Sequence, residues 1–342
     1  MKKDRNITAT DVAKKAGVST STVSRVISDN PRISKKTKEK VLKVMDEMGY
    51  YPNAIARSLA KKQTGNIGVI MPARSEDVFL NPFFPEALRG ILKGASSNNY
   101  DILLSTNTEK GDELENIKSF IRASKVDGII LMTSKLDDES IKYLSTIEFP
   151  FSLIGSPYES IKNINYVDND NYMAAYELTK YLIKTGKKLI AMIAGDDSLV
   201  VTRQRIDGYK KALEDSNINF NEDLLFLGSF NEETGYKYGK NIIEMESMPD
   251  GLIVTDDLVT FGAIQVLESY NINIPKDIAV ASFNNSIISR HSAIPFTSVD
   301  INAYELGLES VNILAKSIEE GTKGMKITIP YKIYKRESTE SR

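Results

Sequence analysis

The stretch that decides the fold of the amino-terminal end is residues 8–26, TATDVAKKAGVSTSTVSRV. Thr8 and Asp11 have the spacing of a capping box, so a helix is predicted to begin after Thr8, and Gly17 is predicted to end it. Ser19 can cap a second helix directly afterwards. Two helices joined by so tight a turn are typical of a helix-turn-helix motif.

The spacing of apolar residues predicts which face of each helix is buried. The inward-facing positions of the two helices are Val12, Ala13, Ala16, Val23 and Val26. The opposite face of the second helix carries Thr20, Ser21, Thr22 and Arg25. Hydroxyls can meet donors or acceptors on base edges and arginine pairs well with guanine, so this face is predicted to read the DNA major groove.

A third helix is predicted from Ser34 to about Met48, ending at Gly49. Its apolar stripe consists of Val41, Val44, Met45 and Met48. The same three helices also fit a small bundle with no role in DNA binding, and the motif alone leaves that alternative open.

The distribution of charge separates the amino-terminal end from the rest of the chain. The 342-residue chain has a formal net charge of −2. Residues 1–64, however, carry 15 Lys and Arg against 6 Asp and Glu, and the remainder carries 29 against 40. A basic end on an acidic body is expected of a nucleic-acid-binding protein, although a solvated lysine-rich surface gives the same composition.

The residue inventory excludes several kinds of chemistry. There is no cysteine and one histidine, His291, which is predicted to be an exposed loop residue. Disulfides, thiolate nucleophiles and cysteine-rich zinc sites are therefore excluded, and neither a metal nor a cofactor is expected. No apolar run of signal-peptide or membrane-spanning length is present, so a cytoplasmic protein without membrane association is expected.

Beyond a polar linker at residues 61–65, strand and helix patterns alternate, which predicts parallel sheets covered by helices. Strands are predicted at Ile67–Met71, Ile102–Ser105, Gly128–Met132, Phe151–Ile154, Leu189–Ala194, Gly251–Val254 and Ile278–Ser282. Helices are predicted near residues 84–97, 112–124, 171–185, 202–216, 233–247, 257–270 and 303–320. This is too much chain for one sheet, so an α/β core of two lobes with a cleft between them is predicted.

Candidate ligand-binding residues follow several of these strands, where open α/β sheets bind their ligands. They are Arg205, Phe230, Asp256 and Asn284, with Asn81 and either Phe83 or Phe84 before the first helix of the core. Arginine, aspartate and asparagine supply the paired donors and acceptors that a polyol needs, and aromatic faces pack on the C–H surfaces of sugars. In contrast, Asp257 is predicted to cap the following helix, and Arg203 is predicted to lie on the surface.

Several of these segments resemble the DNA-binding head of the lactose-repressor (LacI/GalR) family. They are residues 11–19, DVAKKAGVS, residues 22–26, TVSRV, the pairs Gly49-Tyr50 and Pro52-Asn53, and residues 54–59, AIARSL. In that family the last segment is a hinge helix that orders on operator DNA and drives a leucine between base steps in the minor groove. Leu59 occupies the matching position and Ala56 lies in the same segment, so both are expected to contact DNA; an ordinary buried linker leucine is the alternative for Leu59.

The resemblance also implies the domain boundaries. A helix-turn-helix DNA-binding domain is expected over residues 1–50, a hinge helix and linker over 51–64, and an effector-binding core over 65–342. The core is expected to resemble periplasmic sugar-binding proteins, with chain crossings between its lobes near 164, 295 and 326. The amino-terminal lobe then takes about 65–164 and 295–325, and the carboxy-terminal lobe takes about 165–294 and 326–342.

Within the family, the positions that commonly touch the effector match Arg205, Phe230, Asp256 and Asn284. The lactose and purine repressors carry aspartate where this chain has Asn284, so their ligands are not assumed here. Residues 154–157, IGSP, residues 282–286, SFNNS, and parts of 295–307 resemble the maltose-operon regulators. A maltose or maltodextrin effector is therefore expected, with another sugar or a sugar phosphate as the alternative.

The resulting hypothesis is a homodimeric transcriptional regulator, a repressor of sugar-utilisation genes, that binds a palindromic operator and responds to a small-molecule sugar effector. A catabolite-control type of regulator, with a phosphorylated phosphocarrier protein as corepressor, is the alternative. An enzyme is not expected, because adjacent carboxylates such as Asp256 and Asp257 rarely flank a scissile bond and no nucleophile–base signature occurs. The basic head argues against a transport binding protein.

Overall fold

A computed structural model describes residues 7–28, 30–50, 63–72, 75–105, 112–158 and 161–340. The predicted hinge positions Ala56 and Leu59 lie outside the described residues. The head and the core are described separately below.

The head consists of three helices: α1 (Ala9–Ala16), α2 (Thr20–Ile27) and α3 (Lys35–Met48). The capping box predicted for α1 is present, since the Thr8 side chain accepts from the Asp11 N–H and the Asp11 carboxylate accepts from the Thr8 N–H at 2.9 Å. Gly17 ends α1 in the left-handed conformation that glycine adopts without strain. Ser19 and Ser34 cap α2 and α3 through their side-chain oxygens.

The three helices pack on a small apolar core. Its buried members are Val12, Ala13, Ala16, Val23, Val26, Val41 and Met45, and half-buried Val44 and Met48 pack against them. The inward face predicted from the spacing of apolar residues is therefore confirmed. Burying that face leaves the opposite surface of α2 in solvent.

The core alternates strands and helices as predicted. The strands are β1 (Asn66–Ile70), β2 (Asp101–Ser105), β3 (Gly128–Leu131), β4 (Phe151–Ile154), β5 (Asn165–Asp168), β6 (Ile190–Ala194), β7 (Leu225–Leu227), β8 (Gly251–Val254), β9 (Ala279–Phe283), β10 (Thr297–Asp300), β11 (Lys326–Thr328) and β12 (Lys332–Tyr334). The helices are α4 (Ser75–Leu80), α5 (Phe83–Ser97), α6 (Asp112–Arg122), α7 (Glu139–Thr146), α8 (Asn171–Lys184), α9 (Val200–Glu214), α10 (Glu232–Ile243), α11 (Asp257–Ser269), α12 (Ile287–His291) and α13 (Ala303–Glu320).

The strands form two separate sheets, one in each lobe. The amino-terminal lobe contains the order β11-β5-β4-β3-β1-β2, and the carboxy-terminal lobe contains β12-β10-β9-β8-β6-β7. The central pairings, β1 with β3 and β6 with β8, are parallel, while β12 joins β10 antiparallel. Strands such as β3 and β8 are buried along their whole length, as expected for parallel sheets covered by helices on both faces. The predicted α/β fold class with a helical head is confirmed.

The chain crosses between the lobes a few residues later than expected. β5 ends at Asp168 and still belongs to the amino-terminal lobe, so the first crossing comes after residue 168. β10 ends at Asp300 and still belongs to the carboxy-terminal lobe, and β11 runs on to Thr328 in the amino-terminal lobe. The crossings expected near 164, 295 and 326 thus follow Asp168, Asp300 and Thr328, because each comes after a short strand that completes its own sheet.

The side chain of Asn169 joins the three crossings by hydrogen bonds. Asn169, in the first crossing, is buried and donates from Nδ2 to the carbonyls of Ile301, at 3.0 Å, and Ile329, at 2.8 Å. These carbonyls belong to the second and third crossings, which follow β10 and β11. A buried amide with two acceptors fixes the spacing of the three segments at this side of the core.

Candidate DNA-binding surface and effector cleft

The exposed face of α2 carries most of the residues predicted to read DNA. Thr20, Ser21 and Arg25 are exposed. Thr22 is only half-buried and its hydroxyl is hydrogen-bonded to Ser19 Oγ at 2.9 Å, so it takes part in the helix cap. Thr22 is therefore less exposed than Thr20, Ser21 and Arg25, although the exposed Ser21 hydroxyl is also hydrogen-bonded to Ser19 Oγ, at 2.8 Å.

Basic side chains outnumber acidic ones in the head. The described part of the head carries nine Lys and Arg against four Asp and Glu. The basic residues are Lys14, Lys15, Arg25, Arg32, Lys35, Lys36, Lys38, Lys40 and Lys43, all of them exposed except the half-buried Lys38. Such a surplus on a small domain is the electrostatic footprint of phosphate binding.

A cleft of about 550 Å³ lies between the two lobes of the core. Its walls include every predicted effector residue: Asn81, Phe83, Arg205, Phe230, Asp256 and Asn284, together with Phe84. The cleft therefore brings together residues that are up to two hundred positions apart in the chain. Its volume is typical of a site for a small molecule.

Arg205 is held rigidly in this cleft by three contacts. Its Nε donates to Asn171 Oδ1 at 3.1 Å and its Nη1 donates to the Thr255 carbonyl at 2.8 Å. Its guanidinium stacks 4.2 Å from the centre of the Phe283 ring. Burial lowers the pKa of Arg205 to about 10, against the attraction of the Asp168 and Asp256 carboxylates, so the side chain stays charged at neutral pH.

Asp256 connects the two lobes through its carboxylate. Oδ2 accepts from Nδ2 of Asn81, in the amino-terminal lobe, and from Nδ2 of Asn284, in the carboxy-terminal lobe, both at 2.8 Å. Oδ1 accepts from the Leu258 N–H at 2.8 Å. Burial raises the pKa of Asp256 to about 6, although the Asn81 bond opposes that shift. Because Asn284 acts here as a donor, an aspartate at that position would place two carboxylates in contact.

Aromatic rings line the remaining walls of the cleft. Phe83 and Phe84 are both half-buried and meet edge to face, with ring centres 5.1 Å apart. Phe230 lies over Gly195, where a side chain is not tolerated because a Cβ would come within 2.2 Å of the ring. The sequence left open which of Phe83 and Phe84 lines the cleft, and both do.

Comparison with known proteins places this architecture in a family. Residues 8–53 match the bacterial regulatory proteins of the lacI family, and residues 179–339 match the periplasmic binding protein-like domain. The HTH-type transcriptional regulator MalR of Streptococcus pneumoniae serotype 4 is 36% identical over 322 residues, which is 94% of this chain and 95% of that relative. The chain belongs to the LacI family of bacterial regulators.

Two further similarities extend over nearly the whole chain. Catabolite control protein A of Priestia megaterium is 32% identical over 337 residues, which cover 98% of this chain and all of that protein. The structure of the transcriptional regulator CelR in complex with cellobiose is 28% identical, with a TM-score of 0.76 over 97% of this chain and 99% of CelR. As a LacI-family member, the protein is a DNA-binding transcriptional regulator, and its relatives are regulators rather than enzymes.

The described residues contain neither a membrane-spanning helix nor a cluster of metal ligands. None of the helices in them combines the length and the apolar character that crossing a bilayer requires. Likewise, no three His, Asp or Glu side chains among the described residues gather in the manner of metal ligands.

Asp256 lines the cleft as predicted, but it also has the capping role that was predicted for Asp257. Asp256, not Asp257, caps α11 through its side chain, so the prediction of Asp257 as the cap was wrong. Asp257 is fully buried and accepts from the hydroxyls of Ser282, at 2.7 Å, and Ser298, at 2.9 Å. Asp257 is not among the residues that line the cleft, which the sequence alone does not indicate.

Two other predictions agree with the structure. Arg203 is exposed and pairs with Asp197 at 2.9 Å, as expected of a surface residue. His291 is exposed, although it ends the short helix α12 and does not lie in a loop.

Sequence reasoning missed the residues of the first crossing. Asp168 is buried and accepts from Asn171 Nδ2 at 2.9 Å, so it orients the asparagine that binds Arg205. Burial raises the pKa of Asp168. Asp168 and Asn171 both line the cleft. The signal was the polar run Asp168-Asn169-Asp170-Asn171, but β5 before it has only four residues and was not predicted as a strand.

Proposed function

We propose that the protein represses sugar-utilisation genes by binding a palindromic operator as a homodimer, and that an uncharged sugar bound in the interlobe cleft controls this binding. The observation that carries the proposal is the convergence of Arg205, Asp256 and Asn284 with aromatic rings in one cleft. Fixed polar groups beside flat apolar faces suit a ligand that has hydroxyls around its edge and C–H groups on its faces.

The charges of the cleft favour a neutral sugar over a sugar phosphate. The described lining residues include two cations, Lys135 and Arg205, and three carboxylates, those of Asp168, Asp196 and Asp256. Lys135 is paired with Glu113 at 2.8 Å, and Arg205 lies in the field of Asp168 and Asp256. No positive surplus remains to bind a phosphate group.

Maltose or a maltodextrin is the effector that we expect. The similarity to MalR and the resemblance of residues 154–157 and 282–286 to maltose-operon regulators support this choice. The cellobiose complex of CelR supports a disaccharide-sized ligand for a cleft of this kind.

On the DNA side, we propose that Thr20, Ser21 and Arg25 contact base edges and that Thr22 contributes mainly through the helix cap. Ala56 and Leu59 are proposed to contact the minor groove, with Leu59 as the wedge between base steps. Replacing Leu59 with alanine should reduce operator affinity and bending while sugar binding is kept. A normal bend angle in a permuted-fragment assay would exclude this role.

The experiment that tests the function combines two measurements on the full chain. A thermal-shift screen with maltose, maltotriose, cellobiose and glucose 6-phosphate should show a raised melting temperature for maltose or maltotriose, because a ligand that binds only the native state stabilises it. Operator binding should then change when that sugar is added. Binding of a palindromic operator no stronger than random DNA at physiological salt would overturn the proposal.

The similarity to catabolite control protein A favours one alternative, in which a phosphorylated phosphocarrier protein acts as corepressor. In that case operator affinity should rise when the phosphorylated carrier is added and should not respond to any sugar. Titration of the operator complex with phosphorylated and unphosphorylated carrier distinguishes the two mechanisms.

A further inference from the structure

One carboxylate, that of Asp127, holds the last residues of the predicted linker. Its Oδ1 accepts from the Thr64 N–H and its Oδ2 accepts from the Gly65 N–H, both at 2.7 Å. The chain turns at Gly65, whose φ of 74° lies in the left-handed region that glycine adopts without strain. Successive N–H groups that converge in a turn form a concavity for anions, and here the anion is the Asp127 side chain. Thr64, Gly65 and Asp127 are called the linker clamp below.

The linker clamp lies where the linker becomes the first strand of the core. Asn66 is the first residue of β1, and its Nδ2 donates to the Lys125 carbonyl at 2.9 Å. The Asn66 carbonyl accepts from the Asp127 N–H at 2.8 Å. Hydrogen bonds to an ionised acceptor are roughly twice as strong as those between neutral groups, so the Asp127 carboxylate is the main anchor of this segment.

The carboxy-terminal lobe contains the same construction without a linker. Asp250 directly precedes β8, as Asp127 directly precedes β3, and a glycine follows each of them. The Asp250 carboxylate accepts from the N–H groups of Lys188, at 3.0 Å, and Leu189, at 2.9 Å. These two residues connect α8 to β6, so this carboxylate fixes a short loop inside one lobe. Asp127 differs in that it fixes the segment through which the chain arrives from the DNA-binding head.

We propose that Asp127 is a positioning residue for operator binding, because its carboxylate holds the linker end and so limits how much chain must be ordered when the head binds DNA. Ordering backbone costs conformational free energy, and a residue that is already held adds nothing to that cost. Asp127 is not among the residues that line the cleft, so sugar binding does not need it. The inference deepens the proposed function and rests on it, because it needs a head that binds an operator.

The test compares Asp127→Asn with Asp250→Asn in the full chain. Both aspartates are half-buried, and both substitutions keep the size of the side chain while replacing an accepting oxygen with an amide that cannot accept. Each substitution also removes one negative charge. The DNA probe is a palindromic duplex selected with the wild-type protein from a random-sequence library. Fluorescence anisotropy measures its affinity, and thermal unfolding measures the stability of each variant.

The two variants should agree in stability and differ in DNA binding. Both should melt about 2–5 °C below the wild type, because each loses a charge-assisted hydrogen bond. Asp127→Asn should bind the operator about fivefold to tenfold more weakly than the wild type, whereas Asp250→Asn should not bind it more weakly. Loss of a negative charge by itself strengthens DNA binding, so weaker binding by Asp127→Asn reports the freed linker.

A second pair of variants tests the linker side of the clamp without changing charge. Gly65→Ala is compared with Gly186→Ala, because Gly186, with a φ of 95°, lies two residues before Lys188 in the carboxy-terminal lobe. A Cβ at either glycine would lie more than 4 Å from every described atom beyond the neighbouring residues, so only the backbone conformation is strained. Gly65→Ala should bind the operator about threefold more weakly and Gly186→Ala should bind as the wild type does. This pair decides the question if Asp127→Asn does not fold.

Each contrary result has a separate meaning. If Asp127→Asn and Asp250→Asn bind the operator equally well, the clamp contributes only to stability and the proposal is wrong. Equal operator affinities of Gly65→Ala and Gly186→Ala would overturn it as well. If the wild type selects no palindromic sequence, the proposed function itself fails, and the role of Asp127 fails with it.

Discussion

The proposed DNA-binding face and the effector cleft are built in opposite ways. Thr20, Ser21 and Arg25 lie within six consecutive residues of one helix, whose cap and buried face are set by its own neighbours. The cleft joins Asn81 to Asp256 and Asn171 to Arg205, which are 175 and 34 positions apart. The DNA-binding face depends on local sequence. The cleft depends on where the two sheets end and on the hydrogen bonds of Asn169 that join the three crossings.

This difference predicts that the two functions can be damaged separately. The head needs its own small core and its exposed cations, and none of its described ionisable groups is buried. The cleft, in contrast, contains the buried Arg205 and the buried carboxylate of Asp256. The predictions below test this separation, from the largest expected effect to the smallest.

Arg205→Ala should abolish the response of operator binding to maltose and leave operator affinity without sugar unchanged. The substitution removes the guanidinium that is proposed to bind the sugar and leaves Asn171 and the Thr255 carbonyl without their partner. Fluorescence anisotropy of labelled operator with and without maltose measures both properties. Arg203→Ala, at the exposed neighbour, is the control and should behave as the wild type; a normal maltose response of Arg205→Ala would remove this residue from the site.

Arg25→Ala should weaken operator binding by about 1–3 kcal/mol and reduce discrimination at one base pair, because a bidentate contact to a base edge is lost. Sugar affinity should stay at the wild-type value, since Arg25 belongs to the head. Binding to a set of operators with single base changes measures the discrimination. Unchanged base preference would show that Arg25 does not read sequence.

The pH dependence of stability should reveal the buried carboxylate of the cleft. The pKa of Asp256 is raised to about 6 in the folded protein, so its contribution is fully present below the unfolded pKa of about 4 and is lost as pH rises through 6. Between pH 5 and pH 7 the wild type should lose about 1 kcal/mol relative to Asp256→Asn, whose side chain does not ionise. Thermal unfolding across this range measures the difference, and parallel curves for the two proteins would contradict the assignment.

Val200→Pro should loosen the backbone pairing between residues 134–136 and residues 198–200 of the opposite lobe, with little damage to the fold. Val200 is the first residue of α9, where proline is tolerated, and Leu199 has the extended conformation, φ −87° and ψ 134°, that a residue before proline prefers. Loss of the N–H removes the bond to the Ser134 carbonyl and should weaken maltose binding about threefold, mainly through faster dissociation. Val200→Ala keeps the N–H and serves as control; equal dissociation rates in stopped-flow experiments would show that the bond does not hold the cleft closed.

Some residues of the site could be predicted from the sequence and others could not. The difference lies in how far apart in the chain the interacting residues are. Arg205, Asp256 and Asn284 could be picked out because each follows a recognisable strand, and the carboxyl ends of parallel strands share one edge. Asp168, Asn169 and Asn171 could not, because β5 is too short to show a period and because their importance comes from contacts with distant segments. The capping role of Asp256 was equally hidden, since either aspartate can cap a helix until the first turn is placed.

By itself, the sequence determined the three helices of the head, the alternation of strands and helices, and the basic character of the amino-terminal end. These properties depend on neighbours within a few residues, or on composition. Only the tertiary structure decided where the chain crosses between lobes, which aspartate caps α11, and that Asn169 joins the three crossings. Those features arise from contacts between residues far apart in the chain, and such contacts leave no periodic trace in a single sequence.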